Sequence, residues 1–115
     1  MIGFACYHIE GDTCELVTLD SMREGIGVGS ALIAVVAAAA QSAGCKRLWL
    51  ITTNDNLHAL GFYQKRGFVL VAVHRNAMQV TRQLKPLIPL IGDNGIPLRD
   101  EIELEIMLNV SNTQS

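Results

Sequence analysis

Gly25, Gly27 and Gly29 alternate immediately ahead of an alanine-rich run from Ser30 to Ala43, and that arrangement suits one kind of chemistry. Glycine lets a backbone turn tightly and come close to a ligand. The first N–H groups of a helix have no partner inside it, and the helix dipole adds positive potential at the same end. A glycine-rich bend entering a helix is therefore a cradle for phosphate, built from main-chain amides. Spacing narrows the choice of ligand. A P-loop requires a Gly-Lys-Ser/Thr ending, and Gly29-Ser30-Ala31 has no lysine. A dinucleotide fingerprint requires a third glycine and an acid about 20 residues on. Here the third glycine is missing and Lys46-Arg47 stands where the acid should be. Both patterns fail.

A cradle works only if flanking elements hold it. Phe4 to Ile9 and Cys14 to Leu19 read as two strands around Gly11-Asp12, a pair that favours a tight hairpin. Symmetric pairing about that turn sets His8 opposite Glu15 and Cys6 opposite Val17 on one face. Tyr7, Leu16, Ile9 and Cys14 share the other. Both faces are largely apolar, which predicts cover on both sides. Ser30 to Ala43 reads as a helix stopped by Gly44, and its apolar residues nearly all round predict burial against a sheet. Leu48 to Ile51 is a short apolar run of the kind found in central strands. Asp55 or Asn56 caps a predicted helix from Leu57 to Arg66, which Gly67 ends. A strand over Phe68–Val73 follows, then a short helix over Ala77–Leu84 behind Asn76. Lys85 to Pro97 holds all three prolines and reads as irregular. Glu101 to Leu108 reads as a closing strand, and 111–115 as a disordered tail. The order predicts an α/β layer architecture in one domain over residues 1–110.

Composition excludes several functions. The chain has 115 residues, half of them hydrophobic, enough for one core. Charged residues are 17% and the net charge is −2, with the basic residues scattered, which argues against nucleic-acid binding by counterion release. A weakly acidic surface is compatible with a cationic acceptor such as an amine. Cys6, Cys14 and Cys45 form no CxxC pair and read as reduced, buried thiols of a cytoplasmic protein. No metal site is expected; His58 and His74 read as helix-surface and strand-end residues. Met1 to Phe4 lacks the pattern of a signal peptide, and the apolar run from Ala31 to Ala40 is too short for a membrane span.

Two stretches together resemble the GNAT superfamily of acetyl-CoA-dependent N-acetyltransferases. Glu24-Gly25-Ile26-Gly27-Val28-Gly29 is similar to that family's Gln/Arg-x-x-Gly-x-Gly/Ala loop. Asn56-Leu57-His58-Ala59-Leu60-Gly61-Phe62-Tyr63-Gln64-Lys65-Arg66-Gly67-Phe68 is similar to its Asn-x-x-Ala-x-x-Phe-Tyr-x-Lys-x-Gly-Phe helix. The resemblance implies a mixed, mostly antiparallel sheet with helices on its faces. It also implies that main-chain amides around Glu24, Gly25, Gly27, Val28, Gly29 and Ser30 hold the pyrophosphate of acetyl-CoA. The end of the second strand, Val17 to Leu19, would pair with the pantetheine arm, and Asn56 would contact the same co-substrate. Tyr63 would protonate the departing thiolate, a role suited to a hydroxyl with an ordinary pKa near ~10. Glu15, on the strand bordering the thioester with His8 opposite, is the candidate general base.

The sequence departs from the family pattern in two places. Glu24 stands where Gln or Arg is usual, with Arg23 one place early. Members of the family also usually carry a strand and two helices ahead of the hairpin that starts here at Phe4. An uncovered sheet face predicts a homodimer, with Leu87-Ile88-Pro89-Leu90-Ile91 as a candidate contact. Two functions are therefore carried forward: an N-acetyltransferase acting on a primary amine, and a non-catalytic CoA-binding or interaction module on the same fold.

Overall fold

The computed structural model describes residues 3–21 and 27–108. Strands β1 (Gly3–Glu10) and β2 (Thr13–Ser21) form an antiparallel hairpin. Its turn needs a residue tolerating positive φ, and Gly11 supplies it at φ 61°. The register pairs His8 with Glu15, Tyr7 with Leu16 and Ile9 with Cys14, as the symmetric turn predicts. Beyond Tyr7 it slips. Cys6 lies opposite Thr18, not Val17, so Val17 is an extra residue that bulges out of β2.

Helix α1 (Val28–Ser42) follows, then β3 (Arg47–Thr53), α2 (Leu57–Lys65), β4 (Val69–His74), α3 (Ala77–Leu84) and β5 (Glu101–Met107). The strands make one mixed sheet in the order β1-β2-β3-β5-β4. The irregular stretch before β5 contains a short 3-10 turn at Asp93–Gly95 and a bridge between Ile91 and Pro97. Among the described residues no helix is long and apolar enough to cross a membrane. The tail at 111–115 lies outside them.

Two compact units can be told apart. The first takes the described parts of Met1–Leu50 and Glu105–Ser115. Here α1 lies on β1 and β2. Gly29, Val36 and Ala40 are its buried positions, spaced as one stripe of a helix. Cys14, Leu16, Cys45, Leu48 and Leu50 complete this core. Two expectations change. α1 is not buried all round, since Ala31, Ala34 and Val35 face solvent. The hairpin is likewise not covered on both sides, since Phe4, Cys6, Tyr7 and His8 are exposed. Cys6 is thus a surface thiol, unlike Cys14 and Cys45. Alanine makes a good helix wherever it points, so its abundance signals helix without signalling burial.

The second unit is Ile51–Leu104. Phe68, Met78 and Leu104 are buried within it. Its irregular stretch is tied down by polar side chains. Arg82 on α3 donates to the carbonyls of Ile88, Pro89 and Leu98. Asn54 donates to Pro97 O and accepts from the amides of Arg99 and Asp100.

Candidate functional site

In the first unit the candidate site starts on β2. Its parallel ladder with β3 has three rungs, Thr13↔Arg47, Cys14↔Leu48 and Glu15↔Trp49, and β2 runs on to Ser21. Glu15 therefore occupies the last rung, half-buried, opposite His8 on its other side. Two residues later comes the bulge, where Val17 is exposed and leaves the regular pairing. Bulges re-aim backbone groups, and they recur beside active sites for that reason. Leu19, half-buried, lies further along the same strand.

The glycine turn meets α1 directly. Gly27 is the N-cap residue in a left-handed conformation, φ 82°, and no side chain among the described residues caps the helix. The helix starts at Val28, two residues ahead of the expected Ser30. Its first internal hydrogen bond runs from Ala31 N–H to Gly27 O at 3.0 Å. The Val28 and Gly29 amides therefore precede the ladder at the positive end of the helix dipole. Gly29 is buried and Ser30 half-buried. Glu24 and Gly25, expected in the same cradle, lie outside the described residues.

In the second unit Asn56 caps α2, its Oδ1 accepting from Ala59 N–H at 3.1 Å. Tyr63 lies two turns on. Its ring meets Phe62 and Phe68 edge-on, with centroids 5.3 and 5.4 Å apart. Burial pushes the Tyr63 hydroxyl above its ordinary pKa, because a phenolate would be poorly solvated there. The hydroxyl is held protonated, as an acid must be before it donates.

The sequence offered Asp55 only as an alternative cap for α2, and the cap is its neighbour Asn56. Asp55 is buried, 6% exposed, and its Oδ2 accepts from Asp93 N–H at 2.8 Å. Burial alone would raise its pKa, but the Thr53 hydroxyl, the Asp93 amide and its own amide outweigh that and hold the carboxylate below its usual range. The available signal was three consecutive Asn/Asp residues ending a strand, a pattern that ties backbone turns together. His74, exposed at the end of β4, lies 3.0 Å from Glu103. Among the described residues no group of three or more His, Cys, Asp or Glu could hold a metal.

Comparison with known proteins adds the context. A profile described as the Acetyltransferase (GNAT) family matches residues 1–68. An uncharacterised protein of Bacillus subtilis, YdhI, is 51% identical over 102 residues, covering 89% of this chain and 64% of its own length. The chain thus spans just under two thirds of the curated relatives it matches. A Bacillus subtilis acetyltransferase solved in complex with CoA superposes with a TM-score of 0.80 at 25% identity, over 95% of this chain and 70% of that one. A GNAT family acetyltransferase from Elizabethkingia anophelis, with acetyl-CoA bound, gives 0.76 at 25% identity over 91% and 69%. Loop, capped helix, sheet order and profile agree, and the chain belongs to the GNAT acetyltransferase family.

Proposed function

We propose that this chain is an N-acetyltransferase, moving an acetyl group from acetyl-CoA to a primary amine by direct attack. The observation that carries the reading is the start of α1. A left-handed Gly27 opens a helix with no side-chain cap among the described residues, downstream of a bulged strand, in a chain of this family. Backbone amides near Gly27, Val28, Gly29 and Ser30 would take the pyrophosphate, together with those of Glu24 and Gly25. The backbone of Val17 to Leu19 would pair with the pantetheine arm, and Asn56 would contact it from the start of α2. Solved relatives that hold CoA or acetyl-CoA support the same ligand.

The chemistry then divides among a few groups. Acyl transfer needs a neutral amine, stabilisation of charge growing on the thioester oxygen, and an acid for the leaving sulfur. Glu15 would take a proton from the amine, making its nitrogen pair available to attack the thioester carbon. As the new C–N bond forms and the C–S bond breaks, Tyr63 would give its hydroxyl proton to the sulfur. The surplus proton on the new amide nitrogen would return through solvent to the Tyr63 phenolate. A backbone amide at the Val17 bulge would face the developing oxyanion. Free thiols and the use of acetyl-CoA fit a cytoplasmic setting.

Thermal melting with and without acetyl-CoA tests the reading. A hundredfold excess over the dissociation constant should stabilise by about 2.7 kcal/mol and raise the midpoint by several degrees. An unchanged midpoint at millimolar acetyl-CoA would sink it. Release of free CoA thiol with a panel of amines tests the transfer. Binding without turnover of any amine would support the non-catalytic module instead.

A further inference from the structure

The turn before α2 carries a carboxylate that the proposed reaction does not use. Asp55 sits between β3 and the N-cap Asn56, and it touches two things at once. Its carbonyl accepts from Leu57 N–H at 3.0 Å, inside the first turn of α2. The same carbonyl faces Asn94 Nδ2 at 3.4 Å, while its Oδ2 takes the amide of Asp93 at 2.8 Å. Residues 92–95 are the tip of a small arm. Gly92 N–H bonds Ile96 O, Ile91 bridges Pro97, and Leu98 N–H bonds Leu90 O. Arg82 and Asn54 clamp the legs of this arm, and Asp55 alone of the three clamping side chains meets its tip. The fit is close on the other side too. Gly92 packs so tightly against the carboxylate that a Cβ added there would overlap it.

Two features suggest that Asp55 does more than hold a loop. Its second oxygen, Oδ1, is buried with no hydrogen-bond partner among the described residues. Leaving one buried oxygen unpaired carries a local cost even in a carboxylate held by other bonds, and local rules broken in this way are expected at functional sites. The helix that Asp55 steadies is also the one bearing Asn56 at its cap and Tyr63 two turns on.

We propose that Asp55 is a positioning residue, coupling the 92–95 tip to the first turn of α2 and thereby fixing the placement of Asn56 and Tyr63. This rests on the acetyltransferase reading for its catalytic consequence. The mechanical part, an arm locked to a helix start, stands on hydrogen bonds within one unit of the chain.

A double-mutant cycle with a parallel exchange measurement tests it. Asp55→Asn keeps the shape and removes the charge, and Gly92→Ala presses on the same contact from the arm. Each should lower kcat about tenfold, as small displacements of reacting groups do, with KM for acetyl-CoA within about threefold. The double variant should lose little more than either single one, because both break one contact. Hydrogen exchange at the Ala59 and Leu60 amides should quicken in step. Asn94→Gly, which tolerates the positive φ of 62° there, is the milder variant if the others fail to fold, and it should move kcat and exchange in the same direction. Turnover unchanged in the variants overturns the proposal, as does a fall in kcat without faster exchange. If the parent binds no acetyl-CoA, the acetyltransferase reading falls, and exchange at Ala59 and Leu60 still decides whether Asp55 fixes the helix start.

Discussion

Tyr63 packs edge-on against Phe62 and Phe68, and that burial raises the pKa of its hydroxyl. A phenol so placed stays protonated through the neutral range and can serve as an acid once per turnover. Tyr63→Phe is expected to cut kcat about a hundredfold, the ordinary worth of a positioned proton donor. Acetyl-CoA affinity, measured by calorimetry, should stay within about twofold; full activity in this variant would remove Tyr63 from the mechanism. Asp55 makes a second prediction through pH. Its folded pKa is depressed below the unfolded value of ~3.9, so it stabilises the fold above that value. That contribution is lost as pH falls through the folded pKa. Midpoints recorded from pH 6 downward should drop more steeply for the parent than for Asp55→Asn, and parallel curves would contradict the depressed pKa.

At the scale of elements, α1 and α2 begin in different ways, and the difference matters. α2 starts on Asn56, whose side chain satisfies the Ala59 amide. α1 starts on Gly27, and among the described residues no side chain caps it, so the Val28 and Gly29 amides are the ones we propose for the pyrophosphate. Gly27→Ala tests the turn itself. Among the described residues nothing lies within 4 Å of an added Cβ, so the expected cost is conformational, about 1–2 kcal/mol for an L-residue held left-handed. Urea midpoints should fall accordingly, and acetyl-CoA should bind more weakly as the amides shift. Unchanged affinity would show that the turn is not the cradle. The arm before β5 is ordered without regular structure. Its three prolines correctly marked the absence of regular structure, but not its order. That order comes from Asn54 and Asp55, which are distant in sequence from the backbone groups they hold, and from Arg82, which reaches across the arm to Pro89 and Leu98.

For the whole molecule the open question is association. β4 is an edge strand whose Val69, Leu70, Val71 and Val73 are all exposed, and it contains no Lys or Pro to discourage pairing. Leu87, 97% exposed, and Leu90 and Ile91 add to the apolar surface of the same unit. The homodimer expected from the sequence is therefore still our proposal. Light scattering at micromolar concentration should give twice the mass of the 12.5 kDa chain, and a stable monomer would refute it.

The sequence alone determined what depends on neighbours along the chain. Gly11, Gly44 and Gly67 sit at positive φ where turns and helix ends were expected, because backbone preference is local. Asn56 caps α2 for the same reason, and the spacing of the two motifs was enough to place the chain in its family. Tertiary structure decided the rest. The bulge at Val17 is a matter of how β1 and β2 pair. The exposure of Val35, of Cys6 and of the β4 side chains depends on which faces found a partner. The contacts of Asp55 depend on Gly92 and Asp93, almost forty residues away, closing on it. An apolar pattern states that burial would be favourable; only packing in three dimensions determines which surfaces are buried.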